Sequence, residues 1–241
     1  ILVIFYIFFL FPVAACHIMI LGWLNESNDT PLEDEETEDK EDIKPIKPKN
    51  EDLNSRIKDA QSPNVKKLLA LNACDGGDLS GENLSKFELI SASIKNADLT
   101  GANLSSARLY GAILSESNFN NANLEQANLE KAQCWETQFK DANLRRAVLS
   151  WASVENSNFE NANLELADLS QANLEGANLE NANLEGANLE NANLEGANLE
   201  NANLEGALLS GASFEKAILT NANLSSSEIG LANFNSANLH K

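Results

Sequence analysis

From Leu79 to Leu239 an apolar residue stands at every fifth position, thirty-three times without a slip. Ala sits two residues before most of these centres, and Asn or Asp sits one before. Period five suits neither common element. On an α-helix five residues advance about 500°, so the apolar stripe would wander round the cylinder. On a straight strand an odd period sends successive centres to opposite faces. Every centre is buried only if the chain turns after each unit. Each unit then forms one side of a coil, with its Ala and its central residue inside.

A longer period sets the number of sides. Ser117-Asn118-Phe119, Thr137-Gln138-Phe139 and Ser157-Asn158-Phe159 recur every twenty residues. Twenty residues make four units, so the coil is four-sided and the three Phe share one internal column. A small hydroxyl residue beside each large Phe conserves volume, as close packing requires. No proline follows Pro63, which suits coils joined through backbone hydrogen bonds. At about 4.8 Å per coil, some eight coils make a rod about 39 Å long.

The pattern before the array is different. Residues 1–24 are almost wholly apolar, with His17 the one ionisable side chain. As a helix they span roughly 36 Å, enough for a bilayer core of about 30 Å. Two readings stay open: a retained transmembrane anchor, favoured because the apolar run continues past Ala15, or a cleaved signal segment. A third also attaches the chain to a membrane, since Val13-Ala14-Ala15-Cys16 resembles a bacterial lipobox with Cys16 as the lipidated residue. Residues 25–61 are charged and contain three prolines in all, reading as an acidic disordered linker. No Lys or Arg precedes Lys40, so this flank is expected outside the cytosol, in a periplasm, a lumen or the cell exterior. Residues 62–73 read as a short helix capping the first coil. Ser62 is its N-cap, Pro63 its first residue, and Val65, Leu68, Leu69 and Leu71 its apolar face.

Charge narrows the function. The chain has 36 Asp and Glu against 17 Lys and Arg, a net −19, which disfavours direct nucleic-acid binding. Cys16, Cys74 and Cys134 are too far apart for a metal or redox motif. The two histidines, His17 and His240, lie at the chain's extremes, so no Ser/His/Asp or Cys/His set can be assembled without them. Neither a phosphate loop nor a zinc spacing is present. The expectation is a non-catalytic protein without cofactor or metal.

With thirty-three in-phase A-N/D-L-x-x units, residues 74–241 resemble the pentapeptide-repeat family. The resemblance implies an all-β fold, a right-handed quadrilateral β-helix. The entry, Leu68 to Cys74 running into Asp78-Leu79-Ser80-Gly81, is similar to that of cyanobacterial-type members. Those often carry a second Cys three residues on; Gly77 stands there in this chain.

Two outward features follow from the register. Between Arg146 and Lys216 there is no basic residue. Glu165, Glu185 and Glu205 are twenty apart and form an acidic ladder, each neighbouring pair repelling by about 0.9 kcal/mol at water's dielectric constant. The simplest origin is duplication, because Ala172–Asn181 recurs identically at Ala182–Asn191 and Ala192–Asn201. The rival origin is DNA mimicry, which the resemblance suggests because some family members are acidic rods that occupy the DNA site of DNA gyrase. This chain differs from those in its apolar N-terminal segment, its uninterrupted coils and the lack of an evident C-terminal dimerisation helix. The second feature is a stretch around residues 131–151, where Trp135, Arg145, Arg146 and Trp151 are candidates for a protein-partner patch. Cys134 occupies an inward position as buried filler. The array reaches Lys241 without a clear cap, so the alternatives are end-to-end pairing of two copies or a longer chain. The leading reading is a membrane-tethered interaction rod with an unidentified protein partner. The alternatives are a DNA-mimicking inhibitor and a lipid-anchored envelope lipoprotein of the same fold.

Overall fold

The computed structural model describes residue 60 and residues 62–240. The apolar run 1–24 with Cys16, and the linker save for Ala60, lie outside the described residues. Among the described residues no helix is long and apolar enough to cross a membrane.

The array is a stack of four-sided coils. Every bridge is parallel and joins residue i to residue i+20, from Ala73 with Ser93 to Ile218 with Asn238. Units within the stack share one set of backbone bonds, with few exceptions. Asp98 N–H donates to Gly77 O at 2.9 Å, Leu79 N–H to Asp98 O at 2.7 Å, and Gly81 N–H to Thr100 O at 2.9 Å. A fourth bond closes the corner, as when Ala102 N–H donates to Leu99 O at 2.9 Å. The third residue of every corner, at each fifth position from Gly76 to Ser236, has φ between 51° and 72°. Asn and Gly tolerate this left-handed conformation best, and they fill many of these positions. Trp151, Leu166 and Leu231 hold it at 60°, 57° and 61°, so side-chain bulk there is carried against backbone preference.

The core is continuous. The centres from Leu79 to Leu219 and the Ala residues beside them are buried. Phe119, Phe139 and Phe159 stack in one column, with ring centroids 5.2 Å and 4.8 Å apart. Phe214 and Phe234 stack at 4.8 Å in the neighbouring column, the one that contains Cys134 and Val154. The hydroxyl residues before the first three Phe do more than save volume. Ser117 Oγ donates to Ile94 O at 2.5 Å and accepts from Ala97 N–H at 3.1 Å, so it enters the corner of the preceding coil. Ser157 does the same between Cys134 O (2.6 Å) and Thr137 N–H (3.1 Å). Thr137 Oγ1 donates to Leu114 O at 3.0 Å. Three buried hydroxyls are thereby satisfied, as burial demands.

The outward Asn residues form ladders. Asn223 Nδ2 donates to Asn203 Oδ1 at 3.0 Å, and Asn203 in turn to Asn183 at 3.2 Å. The same Oδ1 atoms accept from the N–H two residues on, as in Glu205 N to Asn203 at 3.2 Å. One side chain therefore links coils and holds the following turn.

Helix α1 spans Pro63–Leu71 and covers the first coil. Ser62 is its N-cap, accepting from Val65 N–H, and Asn72 ends it with φ 52°. Val65 and Leu68 are buried in the core. Leu71, expected on the same face, is instead 67% exposed. Six residues past Val65 the helix has advanced about 600°, which carries Leu71 about 120° off that stripe. Asn64 Nδ2 donates to Asp78 O at 2.8 Å and Asn72 Nδ2 to Ile90 O at 2.9 Å, which ties the cap down. At Gly77, where similar entries carry a second Cys, an added Cβ would stand 2.2 Å from Cys74 Sγ and 2.9 Å from Cys74 O. Gly77→Ala is expected to cost about 1–3 kcal/mol by overpacking, seen as faster amide exchange in α1 and the first coil with the later coils unchanged.

Candidate functional site

The outward side chains project from four corners, each repeated every twenty residues. Three of the corners are acidic ladders in the later coils. Glu160, Glu180 and Glu200 line one; Glu165, Glu185 and Glu205 line the next; Glu155, Glu175, Glu195 and Glu215 line a third. The remaining corner runs Ile90, Tyr110, Glu130, Ser150, Ser170, Glu190.

Basic residues are built into these ladders. Arg145 lies between Glu125 (3.5 Å) and Glu165 (3.3 Å) in the column that continues to Glu185 and Glu205. Lys140 pairs with Glu160 at 2.8 Å, and Lys216 with Glu195 at 2.6 Å and Glu215 at 3.4 Å. The hydrogen bond from Glu160 raises the Lys140 ammonium above its ordinary range. Above Arg145 no cation continues the column. Glu185 Oε2 accepts from Asn203 Nδ2 at 3.4 Å, and Glu205 Oε2 from Asn223 Nδ2 at 3.3 Å. Glu185→Gln with Glu205→Gln is expected to raise stability by up to about 1 kcal/mol at low salt. The gain should vanish in about 1 M salt, where the Debye length falls to about 3 Å; denaturant melts at the two salt levels check it.

The four residues Trp135, Arg145, Arg146 and Trp151 do not form one patch. Ten residues are half a coil, so Arg145 and Arg146 lie on the corner diagonally opposite Trp135. Trp151 occupies the corner between them, and Arg145 is engaged by its two glutamates. Trp135 and Trp151 instead flank a different face. That face also carries Ile90, Tyr110 and Ile113, residues that the sequence reading did not single out; the available signal was their place in the twenty-residue coil, with Ile90 and Tyr110 twenty apart and Trp151 one residue past the same column. Lys131 bridges here, with Nζ 3.1 Å from Tyr110 Oη and 5.4 Å from the centre of its ring.

The thiols are inward. Cys134 is fully buried, and burial followed by the charge of Glu155 pushes its pKa up. Cys74 is buried beneath α1, and desolvation raises it too. Neither is poised as a nucleophile. Among the described residues no three of His, Cys, Asp or Glu are placed to hold a metal ion.

A family model described as pentapeptide repeats matches the chain in eight copies, over residues 74–105, 107–146, 147–186, 162–201, 187–225 and 197–235. No curated protein matches. Among solved structures, the chain is similar to HetL, a pentapeptide repeat protein involved in heterocyst differentiation regulation from the cyanobacterium Nostoc sp. strain PCC 7120. The two are 31% identical over 69% of this chain and 84% of that one, with a TM-score of 0.27. Similar too is Rfr23, a pentapeptide repeat protein from the cyanobacterium Cyanothece 51142, at 28% identity over 72% of this chain and 99% of that one, TM-score 0.21. QnrB1, a plasmid-mediated fluoroquinolone resistance protein, is 21% identical over 67% and 88%, TM-score 0.40. The repeat match spans more than half of the chain and shows the family.

Proposed function

This chain belongs to the pentapeptide-repeat family, whose members fold as right-handed quadrilateral β-helices, and from that premise we propose a non-catalytic protein-interaction rod. Residues 1–24 tether it to a membrane, and the array stands outside the cytosol. The observation that carries the interaction reading is a break in the outward pattern. Asn and Glu repeat over most of the exterior, whereas Tyr110, Lys131, Trp135 and Trp151 interrupt them within three consecutive coils. Exposed Trp is 39% accessible at 135 and 59% at 151, and surface Trp is enriched where proteins meet.

The test is photocrosslinking in the native host, from probes placed singly at 135, 151, 180 and 200. A discrete protein adduct from any of these positions supports the reading; silence at all four contradicts it. The tether is tested separately by protease treatment of intact cells with a tag after Lys241. Cleavage from outside supports it, and a cytosolic reporter signal contradicts it.

A second reading, DNA mimicry with a gyrase-like enzyme as target, is favoured by one observation. From Arg146 to Lys216 no positive charge interrupts the three acidic corners. It requires the array in the cytosol, and inhibition of gyrase supercoiling by the purified rod is its test.

A further inference from the structure

The inference rests on the interaction reading and names a face and the chemistry of its occupant. Among the described residues, every Trp and Tyr flanks a single side of the rod. Ile90, Tyr110, Lys131 and Trp151 follow one another along one edge of this side. Ser93, Ile113, Gln133 and Ser153 run down its middle, and Lys95, Ser115, Trp135 and Glu155 along the other edge. Ser115 occupies an outward corner position yet is 1% exposed, next to Trp135 in its column. A straight β surface of this kind offers a flat, shallow seat rather than a pocket.

Charge selects the occupant. Three carboxylates neighbour Trp135 in register: Glu136 beside it, Glu116 one coil before and Glu155 one coil after. Glu116 and Glu136 make no ion pair and no side-chain hydrogen bond, in contrast to the paired Glu125, Glu160 and Glu165. Glu155 accepts from Asn173 through Oε1 at 2.7 Å and its unpartnered Oε2 is buried, so it adds to the field of the face rather than to its contact surface. Of the three cations on this side, Lys131 is turned onto Tyr110 and Glu130 (3.6 Å), Lys216 is taken up by Glu195 and Glu215 in the later coils, and Lys95 lies two coils before Trp135. The face thus pairs exposed indoles with unmatched negative charge, the combination that receives an alkyl-ammonium or guanidinium over an aromatic ring. The Lys131–Tyr110 contact shows that same chemistry within the chain itself.

We propose that the face bounded by Trp135 and Trp151 docks a Lys- or Arg-bearing peptide segment of a partner protein. The cationic side chains lie over the two indoles, and Glu116 and Glu136 complete their charge. The remaining acidic corners steer the partner without discriminating it.

The test titrates the full chain, in about 0.15 M salt, with an arginine-rich decapeptide and with the same peptide carrying neutral citrulline. The variants restore residues that the repeat itself uses at these corners, so the fold is kept: Trp135→Ser with Trp151→Asn, Glu116→Gln with Glu136→Gln, and, on another corner, Glu180→Gln with Glu200→Gln. The expected result is a loss of affinity of about tenfold or more in the Trp pair and about fivefold in the Glu116/Glu136 pair. The Glu180/Glu200 pair should change less than about twofold, and citrulline should bind weakly. Equal losses in both glutamate pairs with no loss in the Trp pair would mean diffuse charge attraction and overturn the proposal. So would equal binding of the citrulline peptide. Either failure, with crosslinks still formed at 180 or 200 in cells, discards this face and leaves the interaction rod standing; failure with no crosslinks at all discards both.

Discussion

Phe139→Ala is expected to destabilise the rod by about 3–5 kcal/mol. Phe139 is fully buried and stacked on both sides, 5.2 Å from the Phe119 ring and 4.8 Å from that of Phe159. Removing it leaves a void between two rings that cannot close on one another, because the bridges above and below hold the coil spacing. Phe139→Leu should lose much less, since Leu99 and Leu179 occupy the same column. In a solenoid, stability is a sum of unit and nearest-neighbour terms. The loss should therefore concentrate in the coils between residues 119 and 159, read as faster amide exchange there, before any change near Leu204.

The second large effect separates two deletions. Removing Asp141–Glu160 takes out one whole coil and returns every later residue to its own column, with Leu179 arriving above Phe139. That chain should fold and melt in a single transition. Removing only Asp141–Arg145 takes out one side and rotates everything after it by a quarter turn. Phe159 then sits over Cys134 in the neighbouring column, and the Ser157 hydroxyl leaves the corner of Cys134 and Thr137. Overpacking of about 1–3 kcal/mol follows, and the stack of Phe159 on Phe139 is lost. The shorter deletion should thus do the greater harm, which a denaturant melt of both variants shows directly.

Much of this architecture is legible in the chain because the repeat is nearly exact in chemistry as well as spacing. The five-residue period and the twenty-residue return of Phe119, Phe139 and Phe159 imply four sides and an internal stack, both present in the structure. The Phe214–Phe234 stack carried the same twenty-residue signal in a different column. The insertion of Ser117 and Ser157 into the preceding corners was not legible. It depends on a carbonyl twenty-three residues upstream, a distance that only the coil makes short. Leu71 misled because apolar character in a nine-residue helix does not specify which stripe faces the array.

The candidate site was less readable for a geometric reason. Trp135, Arg145, Arg146 and Trp151 are close in sequence, but a four-sided coil turns neighbours away from one another. Residues ten apart face opposite corners, and residues twenty apart touch. Grouped by column rather than by sequence distance, Tyr110, Trp135 and Trp151 fall on one face, and Arg145 joins the ladder of Glu165, Glu185 and Glu205.

The central claim is that residues twenty apart lie side by side on consecutive coils. Cysteine pairs measure this. Asn163 and Asn183 are joined by a parallel bridge, with Asn183 Nδ2 3.4 Å from Asn163 Oδ1, within reach of a disulfide, whose Cα atoms stand about 4.4–6.8 Å apart. Oxidation of Asn163→Cys with Asn183→Cys should give an intramolecular disulfide, mapped by peptide mass. Asn163→Cys with Asn178→Cys, and Asn163→Cys with Asn188→Cys, should stay reduced. A disulfide in either of the latter pairs, with none in the first, would contradict the four-sided coil and everything built on its register.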